Sequence, residues 1–127
     1  MTMATKAEPT GKLENVIDVT ELCRHSLMCR HVCPVGNLTH METLTPHGWA
    51  QLVALERRGL SVWTPESVDA LYKCADCGNC RSHCTYSNPL PEGIAAARSV
   101  VVERGLAPAI VYEMAEILGK WENPYVP

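Results

Sequence analysis

Residues 74–84 read CADCGNCRSHC, which places four cysteines in the spacing C-x2-C-x2-C-x3-C. Thiolates this close together on a short loop suit the corners of one iron–sulfur cube, because the two-residue gaps let the backbone wrap around it. The alternative is structural zinc, whose ligands usually come as two C-x2-C pairs that lie well apart in the sequence. The spacing therefore favours an iron–sulfur cluster over zinc.

A second cysteine group, residues 23–34, reads CRHSLMCRHVCP and fits the same frame. Ser26 stands where the second cysteine would be, and Pro34 follows the last one. A proline after the last cysteine is typical of the bacterial iron–sulfur motif. The two groups form an internal repeat, which chance explains less well than either motif alone.

In two-cluster ferredoxins the fourth cysteine of a motif ligates the other cluster. This rule predicts four thiolates for a [4Fe–4S] cluster, from Cys33, Cys74, Cys77 and Cys80. The second site then receives three thiolates, from Cys23, Cys29 and Cys84. We expect a [3Fe–4S] cluster there, with Ser26 at the vacant corner, because a cube without its fourth thiolate tends to lose that iron. The alternative is a [4Fe–4S] cluster with Ser26, a nearby histidine or solvent as fourth ligand.

Other polar side chains crowd the cysteines. Three histidines flank expected ligands, and we expect them to be solvated or to donate hydrogen bonds to cluster sulfurs: His25, His31 and His83. His40 and His47 are expected to be surface or capping groups around a helix start. Four cations either raise the cluster potentials or belong to a solvated face: Arg24, Arg30, Lys73 and Arg81.

The composition indicates one small domain. The chain has 127 residues, of which 46% are hydrophobic, with three Trp and no Phe, so its core is expected to be thin and stapled by a metal. A net charge of −3 argues against a nucleic-acid partner. Neither an export signal nor the ~20 apolar residues of a membrane span stands out, which predicts a cytoplasmic protein that reaches a membrane only through a partner.

Helix signals recur along the chain, and no segment alternates as a strand would, so the fold is predicted to be all-α. Four prolines predict helix starts: Pro46, Pro65, Pro91 and Pro108. Three glycines predict helix ends: Gly59, Gly105 and Gly119. The apolar stripe of the last helix is predicted to face the core: Ile110, Val111, Met114, Ile117 and Leu118. We expect a flexible arm over 1–19, a domain over 20–119 and a tail over 120–127.

The motifs, together with LYKCADCGNCRSHC and ARSVVVERGLAP, resemble the α-helical two-cluster ferredoxin domain. That domain occurs in heterodisulfide reductase C-type subunits, in the iron–sulfur subunits of glycolate oxidase and anaerobic glycerol-3-phosphate dehydrogenase, and in the C-terminal half of succinate dehydrogenase iron–sulfur subunits. The chain departs from the family pattern at Ser26 and at Thr85, which replaces the usual proline.

The resemblance implies a non-catalytic subunit that relays electrons between a flavin-bearing oxidoreductase partner and an acceptor. The sequence contains no flavin or nicotinamide fingerprint, no phosphate loop and no hydrolase triad. Two alternatives remain: an iron–sulfur redox or iron sensor, which would need an output module, and a zinc-stapled interaction module.

Overall fold

The computed structural model describes residues 19–125, and in this range the chain forms helices and no strand, which confirms the all-α prediction. Its helices are α1 Pro34–Thr39, α2 Pro46–Arg57, α3 Pro65–Tyr72, α4 Asn79–His83, α5 Leu90–Glu103 and α6 Ala109–Trp121, with a 3-10 turn at Glu42–Leu44. The predicted arm over 1–19 lies almost wholly outside the described residues. No helix within 19–125 is long and apolar enough to cross a membrane.

The threonine–proline pairs start α2 and α3 as predicted. Thr45 Oγ1 accepts a hydrogen bond from the backbone N–H of Gly48 at 3.2 Å, which satisfies one of the free N–H groups of the first turn. Thr64 and Ser67 form a reciprocal capping box at the start of α3. Gly59 ends the second helix with a φ of 69°, a conformation that glycine adopts without a Cβ clash.

The core lies where α5 packs against α2 and α3. Trp49 is its largest side chain, and the indole N–H of Trp49 donates a 2.8 Å hydrogen bond to the carbonyl of Ala70. Leu71, Ile94 and Val101 are also fully buried, and most other core residues are alanine or valine. The core is thin, as the composition predicts.

The prediction for the last helix was wrong in two respects. No residue of α6 is buried, and Ile110, Met114 and Leu118 are 56%, 37% and 49% exposed. The helix also continues through Gly119 to Trp121, and Glu122 then turns the chain with a left-handed φ of 55°. Helical periodicity identifies an apolar face, but it does not say whether another element covers that face.

Candidate metal centres

Two loops carry all seven cysteines, and each loop leads into a short helix. Cys33 is the N-cap of α1, where its Sγ accepts a 3.4 Å hydrogen bond from the N–H of Gly36. The second loop leaves α3 at Cys74, continues into α4 and ends at Cys84, the C-cap of that helix. Asn79 joins the loops, because its side-chain amide donates to the carbonyl of Val32 at 3.3 Å. All seven cysteines are free thiols.

One cavity is lined by the four cysteines that were predicted to share a [4Fe–4S] cluster: Cys33, Cys74, Cys77 and Cys80. Apolar side chains complete much of its wall, among them Trp49, Pro46 and Pro91. The loop curves around the cavity with left-handed φ values at Asp76 and Gly78, 53° and 77°. This donor set fits an iron–sulfur cluster, because soft thiolates are the preferred ligands of such clusters and an apolar wall keeps water away from them.

A second cavity is lined by the three remaining cysteines: Cys23, Cys29 and Cys84. Ser26 lines the same cavity, as the repeat frame predicts for a residue at the vacant corner. Cys80 also borders it, so the two cavities are neighbours that share this residue. The donor set again fits a cluster, with one thiolate fewer than the first site.

The half-buried thiols are poor anions without a metal. Burial raises the pKa of Cys29 and of Cys74, and it raises the pKa of Cys80 from 9.0 to about 11. A backbone hydrogen bond lowers the pKa of Cys80 and partly offsets the effect of burial, while the neighbouring cysteines raise the pKa further. Iron cations supply the positive charge that such a group of thiolates needs.

Arg98 on α5 supports the second loop, and the sequence reasoning missed it. Its guanidinium donates hydrogen bonds to the carbonyls of Leu71 at 2.9 Å and Cys74 at 2.7 Å, and lies 5.2 Å from the ring centre of Tyr72. The positive charge of Arg98 also lowers the pKa of Cys74, against the larger effect of burial. The available signal was a half-buried arginine in the apolar run AAARSVVV.

The predicted cations lie at the surface, mostly in ion pairs. Arg30 pairs with Glu42, Arg81 pairs with Glu92, and Lys73 pairs with Asp69 at 2.7 Å. Arg24 is exposed beside the second cavity. These contacts agree with a solvated face, and an influence on the cluster potentials stays a prediction.

The histidines divide into two pairs. The rings of His31 and His83 lie 6.5 Å apart at the surface, while those of His25 and His47 lie 5.0 Å apart, edge to face. His47 was predicted to be a surface or capping group, but it is half-buried and lines the second cavity. Burial lowers the pKa of His47, the charge of His25 lowers it further, and Glu42 acts in the opposite direction. His40 does take a capping position, at the C-terminus of α1.

One family model matches the chain. Its description is 4Fe-4S dicluster domain, and the match covers residues 22–88, more than half of the chain and all seven cysteines. No curated protein and no solved structure matches the chain. The family match and the two thiol-lined cavities point to the same chemistry.

Proposed function

Because this chain belongs to the 4Fe-4S dicluster domain family, we propose that it is an electron-transfer subunit that relays single electrons through two iron–sulfur clusters. The observation that carries the proposal is the neighbouring pair of thiol-lined cavities, which share Cys80 at their border. Adjacent clusters suit a relay, since an electron that enters at one site has the other site close by.

We assign Cys33, Cys74, Cys77 and Cys80 to a [4Fe–4S] cluster. Cys23, Cys29 and Cys84 hold the second cluster, either [3Fe–4S] with Ser26 at the open corner or [4Fe–4S] with a ligand that is not cysteine. Each cluster supplies a one-electron redox centre when bound. The protein's own part is to hold the thiolates, exclude water with apolar walls and place Arg98 behind Cys74.

The partner that best suits this role is a flavoprotein oxidoreductase. A flavin exchanges electrons one at a time with iron–sulfur clusters, so a flavin-bearing subunit makes a suitable donor, and a quinone or another carrier makes a suitable acceptor. The resemblance to iron–sulfur subunits of flavin-dependent dehydrogenases supports this partner. Cytoplasmic placement and the absence of a nucleic-acid partner stay predictions.

The test begins with protein purified without oxygen. We expect a brown protein with both iron and acid-labile sulfide, no stoichiometric zinc, and an absorbance that bleaches and returns with one-electron reductants and oxidants. A total near four irons per chain would contradict the two-cluster model, and a colourless zinc protein would contradict cluster binding altogether. Affinity purification under the same conditions should recover a flavoprotein that reduces the clusters, and its absence would argue against the relay role.

A further inference from the structure

The three-cysteine cavity contains a nitrogen donor as well as thiols. Nδ1 of His47 lies 3.9 Å from Sγ of Cys23, and His47 lines the cavity together with Cys29 and Cys84. One donor atom from each of Cys23, His25 and His47 falls within a group whose members are no more than 4.8 Å apart. A histidine that is distant in sequence therefore stands beside the site that lacks a cysteine.

The fold holds His47 in this place. The residue lies in the first turn of α2, directly after Pro46, and Thr45 caps that turn. Gly48 allows the turn to pack against the preceding chain, since a Cβ there would lie 2.4 Å from the carbonyl oxygen of Glu42. Trp49, two residues on, is 2% exposed and anchors the helix in the core. Packing therefore fixes the backbone that carries the His47 side chain, and a fixed backbone suits a metal ligand.

His47 is a better iron ligand than Ser26. Both line the cavity, but the Ser26 side chain is exposed, whereas His47 is half-buried. Imidazole nitrogen is a common ligand of iron, and it binds in its neutral form without losing a further proton. A serine hydroxyl must first lose its proton to bind as an anion, which a neutral imidazole need not do.

We propose that His47 is the fourth protein ligand at the Cys23/Cys29/Cys84 site, so that this site holds a [4Fe–4S] cluster. The inference rests on the proposed cluster binding and replaces the three-iron expectation that the cysteine count alone gives. A neutral imidazole in place of an anionic thiolate raises the potential of the cluster, as histidine ligation does in other iron–sulfur centres. The two sites then differ in potential because of one ligand.

His25 has a different role in this arrangement. It is exposed, and its ring meets His47 edge to face at 5.0 Å, so it touches the proposed ligand from the solvent side. In the proposed arrangement His25 contacts the ligand without replacing it, so the removal of His25 leaves the Nδ1 donor of His47 in place.

The direct test uses the wild-type protein with clusters loaded, labelled with 15N-histidine. Pulsed electron spin resonance of the reduced protein should show a strongly coupled histidine nitrogen, and the coupling should change with the isotope. The protein should contain about eight irons, and the oxidised form should lack the spin signal of a three-iron cluster. Absence of the nitrogen coupling in brown, fully loaded protein would overturn the proposal, even if each variant proved unstable.

Variants then separate the candidates. His47→Ala should lose one iron per chain and gain the three-iron signal, while His47→Cys should restore the iron with a lower potential. His25→Ala should keep the nitrogen coupling. His31→Ala is the control, because His31 pairs with His83 and does not line this cavity, and it should keep the coupling as well. Coupling that disappears in His25→Ala and survives in His47→Ala would assign the ligand to His25 instead. Brown protein with seven irons and no coupling would overturn this inference alone, whereas colourless protein would overturn the proposed function.

Discussion

The guanidinium of Arg98 donates hydrogen bonds to two backbone carbonyls where α3 leads into the second cysteine loop. These carbonyls belong to Leu71 and Cys74, at the end of α3 and the start of the loop. Removing a charged donor from a half-buried carbonyl lowers the free energy of unfolding by about 1–3 kcal/mol. Arg98 therefore stabilises the loop as well as placing a charge behind it. The residue therefore links the core helix α5 to the first cluster site.

Arg98→Gln should lower the reduction potential of the four-thiolate cluster. Removing a positive charge near a cluster favours its oxidised state, by an amount on the order of 70 mV for a charge about 10 Å away at an effective dielectric constant near 20. Redox titration of the loaded protein measures the shift. Arg98→Lys is the matched control, because it keeps the charge and loses the two-pronged hydrogen bonding. Equal potentials in both variants would show that the charge has no such effect.

The thiol of Cys80 should resist alkylation in the cluster-free chain until high pH. Burial raises its pKa from 9.0 to about 11, so the folded thiol keeps its proton over a range in which an ordinary thiol is ionised. The reactive form is the thiolate, and the alkylation rate should therefore keep rising up to about pH 11.

Peptide mapping after brief iodoacetamide treatment checks this pH dependence. Cys77, which is exposed, serves as the internal reference and should react faster than Cys80 at pH 8. If the two thiols react equally at pH 8, the burial of Cys80 does not persist without a cluster.

Among the elements, α3 and α6 contribute differently to stability. Leu71 in α3 is completely buried, and Leu71→Ala should cost about 2–5 kcal/mol. Met114 in α6 is 37% exposed, and Met114→Ala should stay within about 0.5 kcal/mol, as surface substitutions usually do. Thermal unfolding of the loaded proteins compares them, and a fall of roughly 10 °C is expected for the first variant only. A similar fall for Met114→Ala would mean that α6 packs against the core.

Helix positions follow from the sequence where the signal is local. The threonine–proline starts of α2 and α3, and the glycine ends of α2 and α5 at Gly59 and Gly105, each depend on a hydrogen bond or a φ angle within a few residues, and the structure has them where the sequence predicts. The short helices α1 and α4 were not predicted, because five or six residues show no periodicity. Gly119 was read as a stop although nothing in a helix forbids glycine, which costs only about 1 kcal/mol relative to alanine.

The candidate site shows the same division. The cysteines follow from spacing, because each motif wraps one cluster with a continuous stretch of chain. His47 and Arg98 reach the site through tertiary packing, 24 residues from Cys23 and 24 residues from Cys74, respectively. No local pattern marks a contact of that kind, so only the folded chain reveals it.

At the scale of the whole molecule, the proposed clusters would join the two cysteine loops at the edge of the core. The core of α2, α3 and α5 consists mostly of alanine and valine, while the cysteine loops lie at its edge with few buried side chains. In the proposed ligand sets, Cys33 of the first loop belongs to the four-thiolate site, and Cys84 of the second loop belongs to the three-cysteine site. Each cluster therefore ties both loops together, as a staple does in a small domain.

This crossing gives the last prediction. Cys84→Ala should resemble Cys23→Ala and lose the three-cysteine cluster, although Cys84 belongs to the other motif. Cys80→Ala should resemble Cys33→Ala and convert the four-thiolate cluster to a three-iron form or lose it, although Cys80 borders both cavities. The loss of iron relative to the wild-type protein and the electron spin spectrum of the unchanged cluster assign each variant to one of the two groups. If Cys84→Ala grouped with Cys80→Ala instead, each motif would hold its own cluster, and the shared border at α4 would not reflect a crossing of ligands.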